Sequence, residues 1–438
     1  MKIIDWKSLD YQQQQQLLSR PVKNNQAEIR QTTNDIIEQV RLNGDAKLFE
    51  LAQQFDNASL SQLKVTDQEI QHAVEQLPSE NHQAIQFAIK QIKSYHTAQI
   101  PRNLIVETCD GVVCERQARP IARVGLYVPG GSAPLISTVL MLAIPADLAN
   151  CPLKIMCTPP NENGEIHPTL LAAAHLCGIE TIYKVGGAQA IAAMAYGTES
   201  ITKVDKIFGP GNAWVTEAKG LVSQTADGAA CDLPAGPSEV FIIADEQANP
   251  EYVAADLLSQ AEHGIDSQVI CVTVSIRIAK QIKKALKKQL ANLSRQAIAK
   301  QSLLHSRLIV VEDIQQAIQL SNQYAPEHLI LQVFNPEQYI HDITAAGAVF
   351  LGQWTPETVG DYVTGSNHVL PTYGYANKYS GLSVTDFMTY ISFQKVTDIG
   401  LLTIANSAVN LAETEGLDGH ANAVKIRIND LKANYAIN

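Results

Sequence analysis

From about residue 110 to residue 351 the chain alternates short apolar runs with longer stretches of helical spacing, and no other feature narrows its fold as far. Runs at 124–128, 154–157, 181–185 and 206–208 are each followed by a helix-like stretch, at 133–149, 168–177, 188–196 and 212–224. A second array begins after the prolines at 234 and 237. Its runs at 240–244, 269–274, 308–311, 329–333 and 348–351 alternate with helix-like stretches at 250–263, 276–291, 313–324 and 336–345. Repeated strand–helix–strand order builds a mostly parallel sheet covered by helices. Two arrays in succession predict an α/β fold of two adjacent Rossmann-like parallel-sheet domains.

The flanks read differently. In residues 1–110 apolar side chains recur at three- and four-residue spacing over 27–55 and 67–98 (Ile29, Ile36, Ile37, Val40, Leu48, Leu51), the amphipathic helix pattern. The glutamine run at 12–16 reads as a solvated helix face. After about 380 the tail turns helical again over 398–414, followed by the loop-like EGLDGHANA and a short final segment. Such a tail packs on its own body or embraces a partner. The reading divides the chain into a mainly helical N-terminal region (1–110), a first α/β domain (111–236), a second α/β domain (237–380) and a helical C-terminal tail (381–438).

Composition removes several function classes. A length of 438 residues suits two to four domains. The net charge of −11, without a basic run, lacks the footprint that grips phosphate backbones, which argues against nucleic acid and anionic membranes as partners. No segment approaches the ~18–20 apolar residues of a membrane span, and MKIIDWKSLDYQQQQQ has no apolar core of a signal peptide. Seven scattered cysteines without a C-x-x-C pair read as reduced thiols, so the expected location is the cytoplasm.

Three strand-to-helix turns are rich in glycine: VPGGSAP (128–134), VGGAQA (185–190) and GPGNAW (209–214). The last has the first two glycines of G-x-G-x-x-G and Trp214 at the third, so the usual dinucleotide fingerprint is absent. All three fall at the carboxyl ends of expected strands, where open α/β sheets bind ligands, and amides at helix starts hold anions. A single such turn would equally serve chain reversal alone; three in one array favour a ligand-binding edge.

Polar residues cluster in the second array. Gln260 and His263 are three apart and share a face near an expected helix end, with Gly264 as its cap. A histidine there reads first as a cation favoured by the helix dipole and second as a metal ligand. Glu327 and His328 open a strand, where neighbours face opposite sides. Pro326 permits an irregular backbone that would bring both to one site; otherwise the pair is a hydrogen-bonded Glu and a satisfied His. A polar loop holds Asp361 and His368, and the tail holds Glu415 and His420. His263, Asp361 and His420 with an oxygen donor would suit zinc.

These stretches closely resemble the histidinol dehydrogenase family. The resemblance runs through VGLYVPGGSAPLISTVLM (124–141), VGGAQAIAAMAYGT (185–198), KIFGPGNAWVTEAK (206–219) and DLPAGPSE (232–239). It continues in LLSQAEHG (257–264), YAPEHL (324–329), TPETVGDYVTGSNHVLPT (355–372) and EGLDGHANAVKIR (415–427). Ser366 stands where the family often has proline, and Cys231 precedes Asp232. The resemblance implies a cytoplasmic zinc enzyme at the end of histidine biosynthesis that oxidises L-histidinol through L-histidinaldehyde to L-histidine, reducing two NAD. It implies Gln260, His263, Asp361 and His420 as zinc ligands, His328 as general base and Glu327 as the residue that activates water. Substrate contacts would come from Ser238, Gln260, His263, His328, Asp361, His368, Glu415 and His420. NAD contacts would come from Tyr127, Gln189 and Asn212, which places NAD on the first α/β domain. The family is an intertwined homodimer, so Glu415 and His420 would complete the partner's site.

Three other readings remain on the residues alone. A metal-dependent hydrolase would use the same ligands and Glu327, and would turn over without NAD. Two α/β lobes around a cleft also describe solute binders. A covalent dehydrogenase would use Cys114 or Cys151 as a thiolate.

Overall fold

Capping chemistry near the N-terminus sets the first elements. In the computed structural model, which describes residues 1–20, 26–130, 134–234 and 236–437, strand β1 (Lys2–Asp5) precedes helix α1 (Tyr11–Leu18). Asp10 and Gln13 cap α1 reciprocally, each side chain accepting from the other's backbone N–H. Helix α2 (Gln26–Asp56) is interrupted at Gly44, where φ is 51° and ψ −135°. The expected stretch at 67–98 is two helices, α3 (Asp67–Glu75) and α4 (Ser79–Thr97). Pro78 separates them, since its ring fixes φ and it has no N–H to continue the first helix.

Strands β2 (Leu104–Cys109) and β3 (Val112–Pro120) follow. The first array is then β4 (Arg123–Tyr127), α5 (Ile136–Leu148), β5 (Leu153–Thr158), α6 (Pro168–Leu176), β6 (Thr181–Lys184), α7 (Gly187–Tyr196), β7 (Lys206–Phe208), α8 (Ala213–Val222) and β8 (Ala230–Cys231). Its sheet is wholly parallel in the order β6-β5-β4-β7-β8. Residues 131–133, which include the start expected for the helix at 133–149, lie outside the described residues, as does Ala235 beside the expected domain boundary.

The second array is β9 (Glu239–Ala244), α9 (Pro250–Ala261), β10 (Gln268–Thr273), α10 (Ile276–Leu290), α11 (Gln296–Ser302), β11 (Arg307–Val310), α12 (Ile314–Tyr324), β12 (His328–Gln332), β13 (Ala348–Leu351) and α13 (Glu357–Tyr362). Its strands pair in parallel as β1-β11-β10-β9-β12-β13. Counted within each array, both sheets follow the order 3-2-1-4-5 of the Rossmann fold, and the second gains β1 at one edge. Strands β9, β10 and β12 are buried at every position, so they read as continuous apolar runs instead of alternating ones. One face of this sheet carries Val240, Ile242, Val269 and Leu308 into a core with α9 and α10. The other carries Phe241, Ile270, Ile309 and Leu329 toward Tyr324 and Trp6. Fully burying one such large side chain stabilises the fold by about 1.5–3 kcal/mol.

The chain ends with β14 (Met388–Val396), α14 (Asp398–Thr414) and α15 (Asp418–Ile437). Strand β14 pairs antiparallel with β3, and β3 with β2. Contacts divide the chain into one unit of Met1–Gln99 with Ile121–Phe387 and a second of Ile100–Pro120 with Met388–Asn438.

Several local expectations need correction. The region read as helical at 1–110 contributes β1 to the second sheet and β2 to the second unit. The tail is not helical throughout, because β14 precedes its helices. Strands β1 and β14 pair with segments hundreds of residues away, so helix spacing nearby carries no trace of them. The stretch at 336–345 is a 3-10 helix at Pro336–Asp342, entered through Asn335 at φ 49°. EGLDGHANA is not a loop throughout, since α15 begins within it at Asp418.

Candidate active site

Two features of the first unit concentrate chemistry, at opposite ends of their sheets. At the carboxyl ends of β4, β5 and β6 lies a cavity of about 1100 Å³ whose walls include Tyr127, Thr158, Gln189, Asn212 and Trp214. Described residues of all three glycine turns, Gly130, Gly187 and Asn212 among them, line this edge. Gly209, at φ 128°, lies so close to the Tyr127 carbonyl that a Cβ there would fall 2.0 Å from the oxygen, and only glycine fits. Its N–H donates to Asp232 Oδ2 at 2.7 Å and its carbonyl accepts from Lys219 Nζ at 2.9 Å. Asp232 and Lys219 are themselves an ion pair, so a buried charge pair braces the turn. Asn212 caps α8, its Oδ1 accepting from the N–H of Trp214 and Val215 at 3.1 Å. The Tyr127 hydroxyl accepts the N–H of Gly187, the first residue of α7, at 3.0 Å.

The second feature lies at the amino ends of β9 and β12. His328 is the first residue of β12 and pairs in register with Val240. Its Nδ1 donates to the carbonyl oxygen of Glu239, the first residue of β9, at 3.0 Å. Glu327 Oε2 accepts the backbone N–H of the same Glu239 at 2.8 Å. The Glu327 and His328 side chains therefore approach one another, with Oε2 3.6 Å from Nδ1. The irregularity that permits this is the left-handed Ala325 (φ 50°) before Pro326, which leaves Glu327 outside the regular strand.

Around them stand residues of α9 and α13. Gln260 lies in the last turn of α9, with Nε2 3.4 Å from His328 Nδ1. Helix α9 ends at Ala261 and is capped by Glu262, so His263 lies just beyond it and Gly264 is not the cap. Asp361, expected in a loop, is instead on α13, four residues after Glu357 and on the same face. His328 Nε2 is 3.7 Å from Asp361 Oδ1, and Nδ1 is 3.9 Å from Glu357 Oε1. His368 Nδ1 donates to the Asp361 carbonyl at 3.0 Å. Ligand atoms of His263, Glu357 and Asp361 all lie within 4.8 Å of one another. Glu357 is the member that sequence reasoning missed, although an acidic pair at i, i+4 in TPETVGDYV was there to be read.

Burial dominates the electrostatics. It pushes Glu327 and Glu357 well above the usual carboxylate range and Asp361 up to about 7. It also drives His328 down to about 3 and His368 to about 4, so both imidazoles are neutral near pH 7. Gln260 Oε1, His328 Nε2 and Glu357 Oε2 are buried without hydrogen-bond partners among the described residues. The unpartnered amide oxygen of Gln260 and carboxylate oxygen of Glu357, beside the ligand atoms of His263 and Asp361, form a donor set for a divalent cation.

The whole chain has close relatives. The family model for histidinol dehydrogenase matches residues 18–428. A histidinol dehydrogenase of Legionella pneumophila (strain Paris) is 51% identical over 98% of this chain and 99% of its own length. One of Escherichia coli (strain K12) is 52% identical over 98% of each. This chain belongs to the histidinol dehydrogenase family. A crystal structure of the histidinol dehydrogenase from Elizabethkingia anophelis matches it with a TM-score of 0.94 at 47% identity, covering 99% of both chains.

Within this family member, Tyr127, Gln189 and Asn212 share the cavity, while Gln260, Glu327, His328, Asp361 and His368 gather around the end of β12. Ser238 is half-buried and directly precedes Glu239. Glu415 and His420 belong to the second unit and are exposed, at the end of α14 and in the first turn of α15. The covalent alternative loses ground at Cys151, whose thiol burial pushes up to about 11, far from the reactive range.

Proposed function

We propose that the protein oxidises L-histidinol through L-histidinaldehyde to L-histidine with two NAD, as a zinc enzyme of histidine biosynthesis. The observation that carries this reading is the shared anchoring of Glu327 and His328 on Glu239, beside the unpartnered Gln260 Oε1 and Glu357 Oε2. The donor set fits a cation, and Gln260, His263 and Asp361 would hold it, with Glu357 close by and His420 supplied by a second copy. Bound there, zinc would supply a positive charge that orients the substrate's nitrogen donors.

The chain's own groups divide the remaining work. Because Nδ1–H is committed to the Glu239 carbonyl, the lone pair of His328 is on Nε2, which faces the site without a partner. That nitrogen takes the hydroxyl proton as hydride leaves the carbinol carbon. Glu327, held by one oxygen, has its other oxygen toward the site, and the charge of a bound cation would favour the carboxylate form that accepts a proton from water attacking the aldehyde. The hydrate then gives up the second hydride. Ser238, His368 and Glu415 contact the substrate in this reading. The cavity bounded by Tyr127, Gln189 and Asn212 takes NAD, the hydride acceptor, and its volume is large for a ligand pocket.

A homodimer completes the reading. The second unit exposes Ile105, Ile391, Phe393, Ile399 and Leu411, apolar side chains that a second copy would cover. The deciding experiment follows absorbance at 340 nm with limiting L-histidinol and excess NAD. About two NADH per histidinol, lost with chelator and restored by zinc, is the expected result. No NADH from zinc-loaded, folded protein would move the hydrolase or binder reading to the front.

A further inference from the structure

Arg20 lies between α1 and the undescribed residues 21–25, more than 200 residues from Glu327 and His328, yet only 13% of its side chain is exposed. Its guanidinium grips Glu239 as a fork, Nε to Oε1 at 2.5 Å and Nη2 to Oε2 at 2.8 Å. Nη2 also donates to the carbonyls of Tyr324 at 2.9 Å and Ala325 at 3.4 Å. Its Cζ lies over the Tyr324 ring, 3.9 Å from the centroid. Gly374 leaves room for it, since a Cβ there would come within 2.9 Å of Nη1.

Both ends of this fork lead to the chemistry. Glu239 is the residue whose N–H holds the Glu327 carboxylate and whose carbonyl holds the His328 imidazole. Tyr324 and Ala325 form the left-handed turn that releases Glu327 from the strand. A non-glycine residue in that conformation is strained and persists only where its surroundings hold it. One side chain therefore ties the main chain that grips the two residues to the turn that delivers them. A buried ion pair serving stability alone needs neither connection.

Resting on the function proposed above, we propose that Arg20 is a positioning residue: its fork on Glu239 and its bonds to Tyr324 and Ala325 set the geometry of Glu327 and His328. The test compares Arg20→Ala and Arg20→Lys with the parent, rates being expressed per folded protein by circular dichroism. Arg20→Ala should lose about 100-fold in kcat, the scale of an ångström misplacement, with KM for histidinol and NAD changed less than about threefold. Millimolar guanidinium should restore at least about 10-fold of that loss. Arg20→Lys, which keeps the charge without the fork, should fall between the two. Amide hydrogen exchange at Glu239 should speed up at least about 10-fold in both variants, a readout that needs no turnover.

Parent-like kcat and Glu239 exchange in either folded variant overturns the proposal. So does a loss of rate that guanidinium leaves untouched while Glu239 stays protected. If Arg20→Ala does not fold, Arg20→Lys decides by the same criteria. A parent enzyme inactive on histidinol would instead strike the proposed function, and the exchange rates would still decide the role of Arg20.

Discussion

The Nδ1 of His328 and the carbonyl oxygen of Glu239 are 3.0 Å apart, and this one bond sets the imidazole's tautomer. A carbonyl only accepts, so the proton is on Nδ1 and the lone pair on Nε2. His328→Asn removes that lone pair and should lower kcat for histidinol by about 10²–10⁴-fold. Near-parent melting and NAD affinity should accompany the loss. A variant retaining parent kcat would remove His328 from the mechanism.

Glu327 has a different assignment and a different signature. Glu327→Gln keeps an oxygen for the Glu239 N–H but no longer takes a proton from water. The second oxidation should slow more than the first, so the NADH yield at early times falls from about two toward one per histidinol. Aldehyde should accumulate and be trapped by semicarbazide. Equal slowing of both steps, with no aldehyde trapped, would place Glu327 elsewhere in the reaction.

The unpartnered Gln260 Oε1 and Glu357 Oε2 lead to a prediction about metal. Elemental analysis of dialysed protein should find about one zinc per chain, and zinc binding should raise the melting temperature by linkage. Glu357→Gln should weaken zinc retention under chelator challenge. Retention equal to the parent's would exclude Glu357 from the cation's surroundings.

Burial pushes Asp256 up to about 6, against a donated hydrogen bond from Gln332 that lowers it. The folded state thus holds a proton that the unfolded chain releases near pH 4. Between about pH 4 and pH 6 the unfolded state ionises first, and stability falls as pH rises. Above pH 6 the cost is complete. Asp256→Asn should therefore be more stable by about 1–2 kcal/mol at pH 7–8, with the advantage vanishing below pH 4. Urea titrations of both proteins at pH 4 and pH 7.5 measure this; a constant difference at both would refute the assignment.

Shared sites in a dimer predict complementation. His263→Ala and His420→Ala should each be nearly inactive. If His420 serves the partner's site, a mixed dimer holds one site with both changes and one with neither. Co-refolded variants should then regain about half of the parent rate per mixed dimer, and dilution below dimer dissociation should abolish it. No recovery from confirmed mixed dimers would mean that each site belongs to one chain.

Much of this protein is written locally. The βαβ alternation specified the inner strands of both parallel sheets, because burial on two faces demands apolar runs and a crossover demands a helix. The three glycine turns marked the cavity edge, since backbone that must bend tightly or approach closely needs glycine whatever lies far away. What depends on contact between remote segments was not legible from spacing. The pairing of β1 with β11 and of β14 with β3 joins strands that carry no sign of their partners. The cluster around His328 is of the same kind. It stands at the amino ends of β9 and β12, opposite to where open sheets usually bind ligands, because the Ala325 turn and the Glu239 main chain aim two neighbouring side chains together. Arg20 and Glu357 enter only there: the sequence carries their charges, and the tertiary structure alone decides what those charges face.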